Sequence, residues 1–285
     1  MIFERFADRR FVYFDGAMGT MLQRSGLPKG SRPDVMNILA PQAVADIHRA
    51  YRDAGSDILN TNTFGANADA LKPTGYTVEQ IVAAGVAAAR EGGGETALVA
   101  LDVGPLDALI DPLGDMTEER AYELFREQVV AGERAGADLI AIETMSGLTE
   151  LSLAIRAARE NTALPVFATM TFREDGRTYL GVSAAEFTAL AEELGVAALG
   201  LNCSLAPDTM LATVTALAAS TRLPLIVKPN AGLPNKQGEY DLDAEGFARQ
   251  MLAYARLETV RVVGGCCGTT PQYITALKSA FERLN

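Results

Sequence analysis

Eight short, uninterrupted apolar runs recur along the chain, and this recurrence limits the possible folds more than any other feature. FVYF ends at Asp15, DILN begins at Asp57, ALVAL ends at Asp102 and DLIAI ends at Glu143; PVFATM starts at Pro165, and AALGLN, LPLIVK and VRVVGG run into Cys203, Pro229 and Cys266. None alternates apolar with polar residues as a half-solvated strand does, so each reads as a strand covered on both faces. Between them, Val44, Ile47 and Tyr51, then Val78, Ile81, Val82 and Val86, and later Phe187, Leu190 and Leu194, recur at the three- and four-residue spacing of a helix face. Thr117 before Glu119 and Arg120, and Ser183 three residues before Glu186, are helix starts; Gly55, Gly136 and Gly195 stand where helices should end. Strands joined by helices are parallel strands with crossovers. No Pro/Gly/Ser-rich linker divides the alternation, so residues 1–285 are expected to form one domain. Eight strand–helix units in 285 residues fit a closed (β/α)8 TIM barrel, with an open doubly wound sheet as the alternative.

Composition narrows the partners. With 36 acidic against 25 basic side chains the formal charge is −11, and no basic stripe interleaves with aromatics, so nucleic acid is not expected. No apolar run reaches the roughly 18 residues needed to span a bilayer. The opening MIFERFADRR lacks the apolar block of a secretory signal, which points to the cytoplasm. The three cysteines are an odd number, and two are neighbours in sequence. A disulfide framework is therefore not expected, and the thiols stay free for metal or catalysis.

In a barrel the loops after the strands carry the chemistry. Here the strand ends bear Asp15, the NTNTFGAN run from Asn60, Asp102, Glu143, Cys203, Asn230, and the pair Cys266 and Cys267. Cys203 follows the sixth strand and Cys266 and Cys267 the eighth, so all three thiols should meet across the end of the seventh. Neighbouring strand residues face opposite ways, so both members of the pair can face one ion only if the strand has ended. Gly264, Gly265 and Gly268 supply freedom to bend there. Three thiolates favour zinc in a tetrahedron with one position open, a catalytic arrangement suited to holding an incoming thiol as a nucleophilic thiolate. Thiol alkylation follows from that, and hydrolysis does not, because the single histidine, His48, cannot build a water-activating set. The cysteines could instead be small core residues or include a nucleophile. His48 reads as a helix-face residue.

DGAMGTML from Asp15, NTNTFGAN from Asn60, ETM from Glu143, GLNCS from Gly200, KPNAGLP from Lys228 and GGCCGTTP from Gly264 together resemble the zinc-dependent homocysteine S-methyltransferase family, most closely the homocysteine-binding module of cobalamin-dependent methionine synthase. The likeness runs from about Asp15 to Pro271. It implies a TIM barrel, zinc held by Cys203, Cys266 and Cys267, and methyl transfer to the thiol of L-homocysteine to give methionine. It further implies that Asp15 and Glu143 hold the amino group of homocysteine, with backbone groups of Gly16, Ala17 and Met18 near its carboxylate. Asn230 is implied as a weak ligand filling the open zinc position until substrate arrives, and Asn62, Thr63 and Asn202 as lining the mouth. Because the chain ends after the eighth helix, the methyl donor is expected from elsewhere: a methylcorrinoid such as methylcobalamin on a separate protein, or a small donor such as betaine or S-methylmethionine. Two other readings stay open. Lys228 at a strand end could form a Schiff base, as in a class I aldolase, or the barrel could be a non-catalytic zinc- or thiol-binding subunit.

Overall fold

A computed structural model describes residues 2–27, 30–235 and 239–284, and each of the eight apolar runs contains a strand. They are β1 (Val12–Tyr13), β2 (Ile58–Asn60), β3 (Leu98–Val103), β4 (Leu139–Met145), β5 (Val166–Met170), β6 (Ala198–Asn202), β7 (Leu225–Lys228) and β8 (Val260–Val263). All neighbours pair in parallel, in the order β1-β8-β7-β6-β5-β4-β3-β2. One parallel bridge, Phe14 to Ile58, joins the two ends of that order, so the sheet is a ring and not an open doubly wound layer. The helices that follow the strands in turn are Pro41–Asp53, Val78–Gly93, Glu118–Ala135, Leu148–Asn161, Ala184–Glu193, Pro207–Ser220, Ala244–Met251 and Pro271–Glu282. The chain is a (β/α)8 barrel. No helix among the described residues is long and apolar enough to cross a membrane.

Local sequence explains the outer layer. Val44, Ile47, Tyr51, Val78, Ile81, Val82, Val86 and Phe187 are buried where their spacing put them, while Leu190 and Leu194 are half-buried. Thr117 caps its helix by accepting the Arg120 N–H at 3.2 Å, and Ser183 and Glu186 form a reciprocal capping box, each a contribution of about 1 kcal/mol. Gly136 ends the helix Glu118–Ala135 at φ 91°, a left-handed turn that a side chain would strain.

The two-residue period of a strand decides what faces the barrel axis. Phe14, Ile58, Leu98, Ala100, Leu139, Ala141, Phe167, Ala198 and Ile226 belong to one interior apolar cluster. Two residues further along the same strands come Asn60, Asp102, Glu143, Thr169 and Lys228, and four beyond Ala198 comes Asn202. An apolar floor therefore carries a polar layer directly above it. Below the floor the N-terminal turn Ile2–Phe6 plugs the opposite end, with Phe3 stacked on Phe167 at 5.6 Å between ring centroids.

Candidate metal centre and substrate pocket

The barrel strands end in a cavity of about 430 Å³ whose lining includes Gly16, Ala17, Met18, Asn60, Asn62, Asp102, Glu143, Cys203, Lys228, Cys266 and Cys267. A larger hollow, about 1190 Å³, lies at the other end between the N-terminal turn and the starts of β5 to β8, and no cysteine lines it.

The three sulfurs lie within 4.8 Å of one another, with Cys203 Sγ and Cys267 Sγ 3.7 Å apart. A metal held tetrahedrally about 2.3 Å from each sulfur separates them by about 3.8 Å. The spacing fits. The backbone makes this possible in the way strand geometry requires: β6 and β8 have ended, and the loops bend. Cys203 and Ser204 take left-handed φ values of 61° and 58°, a cost for residues with a Cβ that active-site turns tolerate. The Cys203 N–H donates to the Lys228 carbonyl at 3.0 Å and the Cys266 N–H to the Pro229 carbonyl at 2.8 Å, so the end of β7 holds both cysteine loops. The nearby glycines serve two purposes. Gly268 has φ 82°, whereas Gly264 and Gly265 leave room for Phe14 and Thr269.

Crowding keeps the thiols protonated on their own. Contact with Cys266 draws the Cys203 thiol down, but Cys267 beside it and burial push it up to about 12; Cys267, lowered by Cys203, is pushed to about 12 by Cys266 and burial. Cys266 is raised further by Cys203 and burial. Three adjacent thiolates repel one another, and a cation is what makes their joint ionisation favourable.

Beside the thiols sits a buried charge cluster. Lys228 Nζ donates to Glu143 Oε2 at 2.6 Å and lies 4.4 Å from the centroid of the Phe14 ring. Burial alone would lower its pKa, but Glu143 and Asp15 outweigh that and raise it, so the amine stays an ammonium. That disfavours Schiff-base chemistry, which needs a free amine. Asn60 Nδ2 donates to the same Glu143 oxygen at 3.1 Å, and the Asn60 backbone N–H donates to Asp15 Oδ2 at 2.9 Å. Burial pushes the Asp15 carboxyl up to about 8, with Lys228 drawing it partly back. Asp102 is raised well above the carboxylate range by burial, and by Glu143 after that.

The homocysteine S-methyltransferase family model matches residues 12–281. The chain belongs to that family. It is 31% identical, over 97% of its length, to the methionine synthases of Mycobacterium leprae (strain TN) and Mycobacterium tuberculosis (strain ATCC 25618 / H37Rv), and it spans about a quarter of the length of each. Among solved structures it resembles the homocysteine methyltransferase MmuM from Escherichia coli. The oxidized form matches at 25% identity and TM-score 0.82, covering 96% of this chain and 97% of that one. The apo form matches at 25% identity and TM-score 0.74 over the same shares.

Within this member of the homocysteine S-methyltransferases the named residues separate into groups. Gly16, Ala17, Met18, Asn62, Glu143 and the cysteines line the cavity. Asp15, 2% exposed, is outside that lining, beneath it. Thr63 is fully buried, and its hydroxyl donates to the Asp102 carbonyl at 2.8 Å. Asn202 is also fully buried: its Oδ1 accepts from Thr144 N–H and Thr169 Oγ1, both at 2.8 Å, and its Nδ2 donates to Thr144 Oγ1 and, at 3.8 Å, to Cys266 Sγ. It therefore backs a sulfur from behind the cavity wall. Asn230 Oδ1 is buried without a partner, next to Ala231, whose N–H donates to the Cys267 carbonyl. His48 lies on a buried helix face, as its position predicted, with both ring nitrogens unpartnered. Sequence reasoning gave no role to Thr144, left-handed at φ 65°, or to Tyr240, whose ring covers Gly268 and whose hydroxyl meets the Cys267 thiol. The left-handed residues have no sequence signature.

Proposed function

We propose that the whole chain works as one homocysteine-binding unit in the cytoplasm, transferring a methyl group to the thiol of L-homocysteine to give methionine. The observation that carries this reading is the three-thiol cluster opening into the same cavity as buried carboxylates and backbone donors, a pairing that suits a small amino acid bearing a thiol. Cys203, Cys266 and Cys267 would hold zinc, whose charge, largely offset by three thiolates, lets an incoming thiol lose its proton while its sulfur stays electron-rich.

The protein's own residues supply the rest. Gly16, Ala17 and Met18 line the cavity, where their backbone N–H groups would suit a carboxylate, while Glu143, with Asp15 beneath, would suit an ammonium. Lys228 fixes Glu143 in place through their ion pair. Asn230, whose Oδ1 is buried without a partner, would be a weak oxygen donor to the metal. Asn202 fixes the orientation of Cys266. In the transfer, the thiol proton leaves, the sulfur–methyl bond forms, and the bond from methyl to donor breaks with its electron pair remaining on the donor.

We assign the donor as a methylcorrinoid such as methylcobalamin, carried by a protein partner, over S-methylmethionine or betaine; the likeness to two methionine synthases is what supports this choice. The test is to offer zinc-loaded protein and homocysteine a panel of methylcobalamin, S-methylmethionine, betaine and a methylfolate, and to measure methionine. Methionine from methylcobalamin is expected. Methionine from a small donor alone would overturn the donor assignment, and no methionine from any, with homocysteine bound, would leave a non-catalytic thiol-binding barrel.

A further inference from the structure

Asp102 is held in an unusual way. Its backbone N–H donates to Thr61 Oγ1 at 3.1 Å, and its carbonyl accepts from Thr63 Oγ1 at 2.8 Å and Gln128 Nε2 at 3.2 Å. Three side chains thus pin the main chain at the end of the strand. The carboxylate is pinned by none. The residue is 8% exposed, it lines the cavity, and its Oδ1 is buried without a hydrogen-bond partner. Burying a carboxyl group with an oxygen unpaired is costly even while burial keeps its proton on, and such a group is kept where a working ligand supplies the donor and, if cationic, favours the ionised form.

Asn60, also in the cavity lining, offers a second acceptor. Its Nδ2 is committed to Glu143, which fixes the amide orientation and leaves Oδ1 as the free end, again buried and unpartnered. Charge points the same way. Three acidic side chains, Asp15, Asp102 and Glu143, share one buried cation among the described residues, Lys228, whose ion pair is with Glu143, and that is too little positive charge to keep Asp15 and Asp102 ionised. A ligand that brings a second cation with several N–H donors satisfies both deficits, and a primary ammonium is such a group.

We propose that Asp102, together with Oδ1 of Asn60, receives the protonated α-amino group of the substrate and makes the pocket selective for amino thiols over thiols lacking the amine. This rests on reading the pocket as a homocysteine site, and it adds two contacts and a selectivity to that reading.

The test is calorimetric binding to the zinc-loaded full chain, which needs no methyl donor. L-homocysteine is compared with 4-mercaptobutyrate, the same thiol acid without its amine, on the unaltered protein and on Asp102→Asn, which keeps shape and cannot ionise. The expected result is a loss of about 10- to 100-fold in homocysteine affinity with 4-mercaptobutyrate binding and zinc content unchanged. An equal loss for both thiols, which a merely structural role would give, overturns the proposal, and so does no loss for either. Should Asp102→Asn not fold, Asp102→Ser gives the same readout. If the unaltered protein binds no homocysteine, the reading of the pocket itself fails; homocysteine binding that the substitution leaves intact removes only Asp102 from it.

Discussion

The two ends of this barrel are built from the same eight strands to opposite specifications. At the floor, Phe14, Phe167, Leu139, Ile226 and their neighbours meet as an apolar cluster, closed from below by Phe3. One residue pair further up, the same strands present carboxylates, an ammonium, thiols, three left-handed residues with side chains and several buried oxygens with no partner. Every feature of the upper end costs stability when considered alone. The floor and the helical wrap must supply the surplus that allows it. The comparison teaches where a substitution should show itself: at the mouth in ligand and metal, at the floor in the melting curve.

The sharpest break would come from Cys203→Ser. It is expected to abolish stoichiometric zinc by elemental analysis and to lower methionine formation by orders of magnitude, with little change in Tm. A variant keeping full activity without zinc would remove the basis for the mouth's assignment. Next in size is Phe167→Ala at the floor. It should cost about 3–5 kcal/mol in denaturant unfolding, while protein that remains folded binds zinc normally. Weakened zinc binding there would show that the ends are coupled.

The helical wrap answers to pH. Burial lowers the His48 pKa to about 3, whereas in the unfolded chain it stays near 6.5. Between those values the unfolded state holds the extra proton, so stability falls as pH falls through this window. The His48 contribution should be a loss of about 2 kcal/mol between pH 6.5 and pH 5, and His48→Leu should flatten that part of the profile in chemical denaturation. An unchanged slope would show that His48 binds its proton alike in the folded and unfolded chain. The smallest effect is expected behind the metal site. Asn202→Leu removes the N–H directed at Cys266, and zinc affinity by chelator competition should drop about 10-fold, with a shift in the sulfur charge-transfer bands of the cobalt form. Unshifted bands would leave Asn202 as packing for β4 and β5.

The barrel was legible in the sequence because strands buried on both faces leave uninterrupted apolar runs, and each such run contains a strand. The convergence of Cys203 with Cys266 and Cys267 was equally legible, since strand order alone places β6 and β8 on either side of β7. What sequence could not resolve was the direction of side chains once the strand period ends. Asn62 and Thr63 are adjacent, yet only Asn62 borders the cavity. Asn202 and Cys203 are adjacent too, and the left-handed turn at Cys203 accompanies a thiol that borders the cavity, while the Asn202 amide backs the Cys266 sulfur from behind. Asp102 stood out as a strand end, but its lack of partners is a property of three-dimensional surroundings.

The ring of strands is sewn shut at one place by very little thread. Between β1 and β2 the Asp57 N–H reaches the Tyr13 carbonyl, the Asp15 N–H reaches the Ile58 carbonyl, and the next stitch is no backbone ladder bond but the Asp15 carboxylate taking the Asn60 amide. A guest molecule that engages Asp15 or Asn60 therefore tugs on the clasp of the cylinder itself. Occupancy of the mouth and tightness of this seam should rise and fall together, and slowed deuterium uptake at the Asn60 amide would register it.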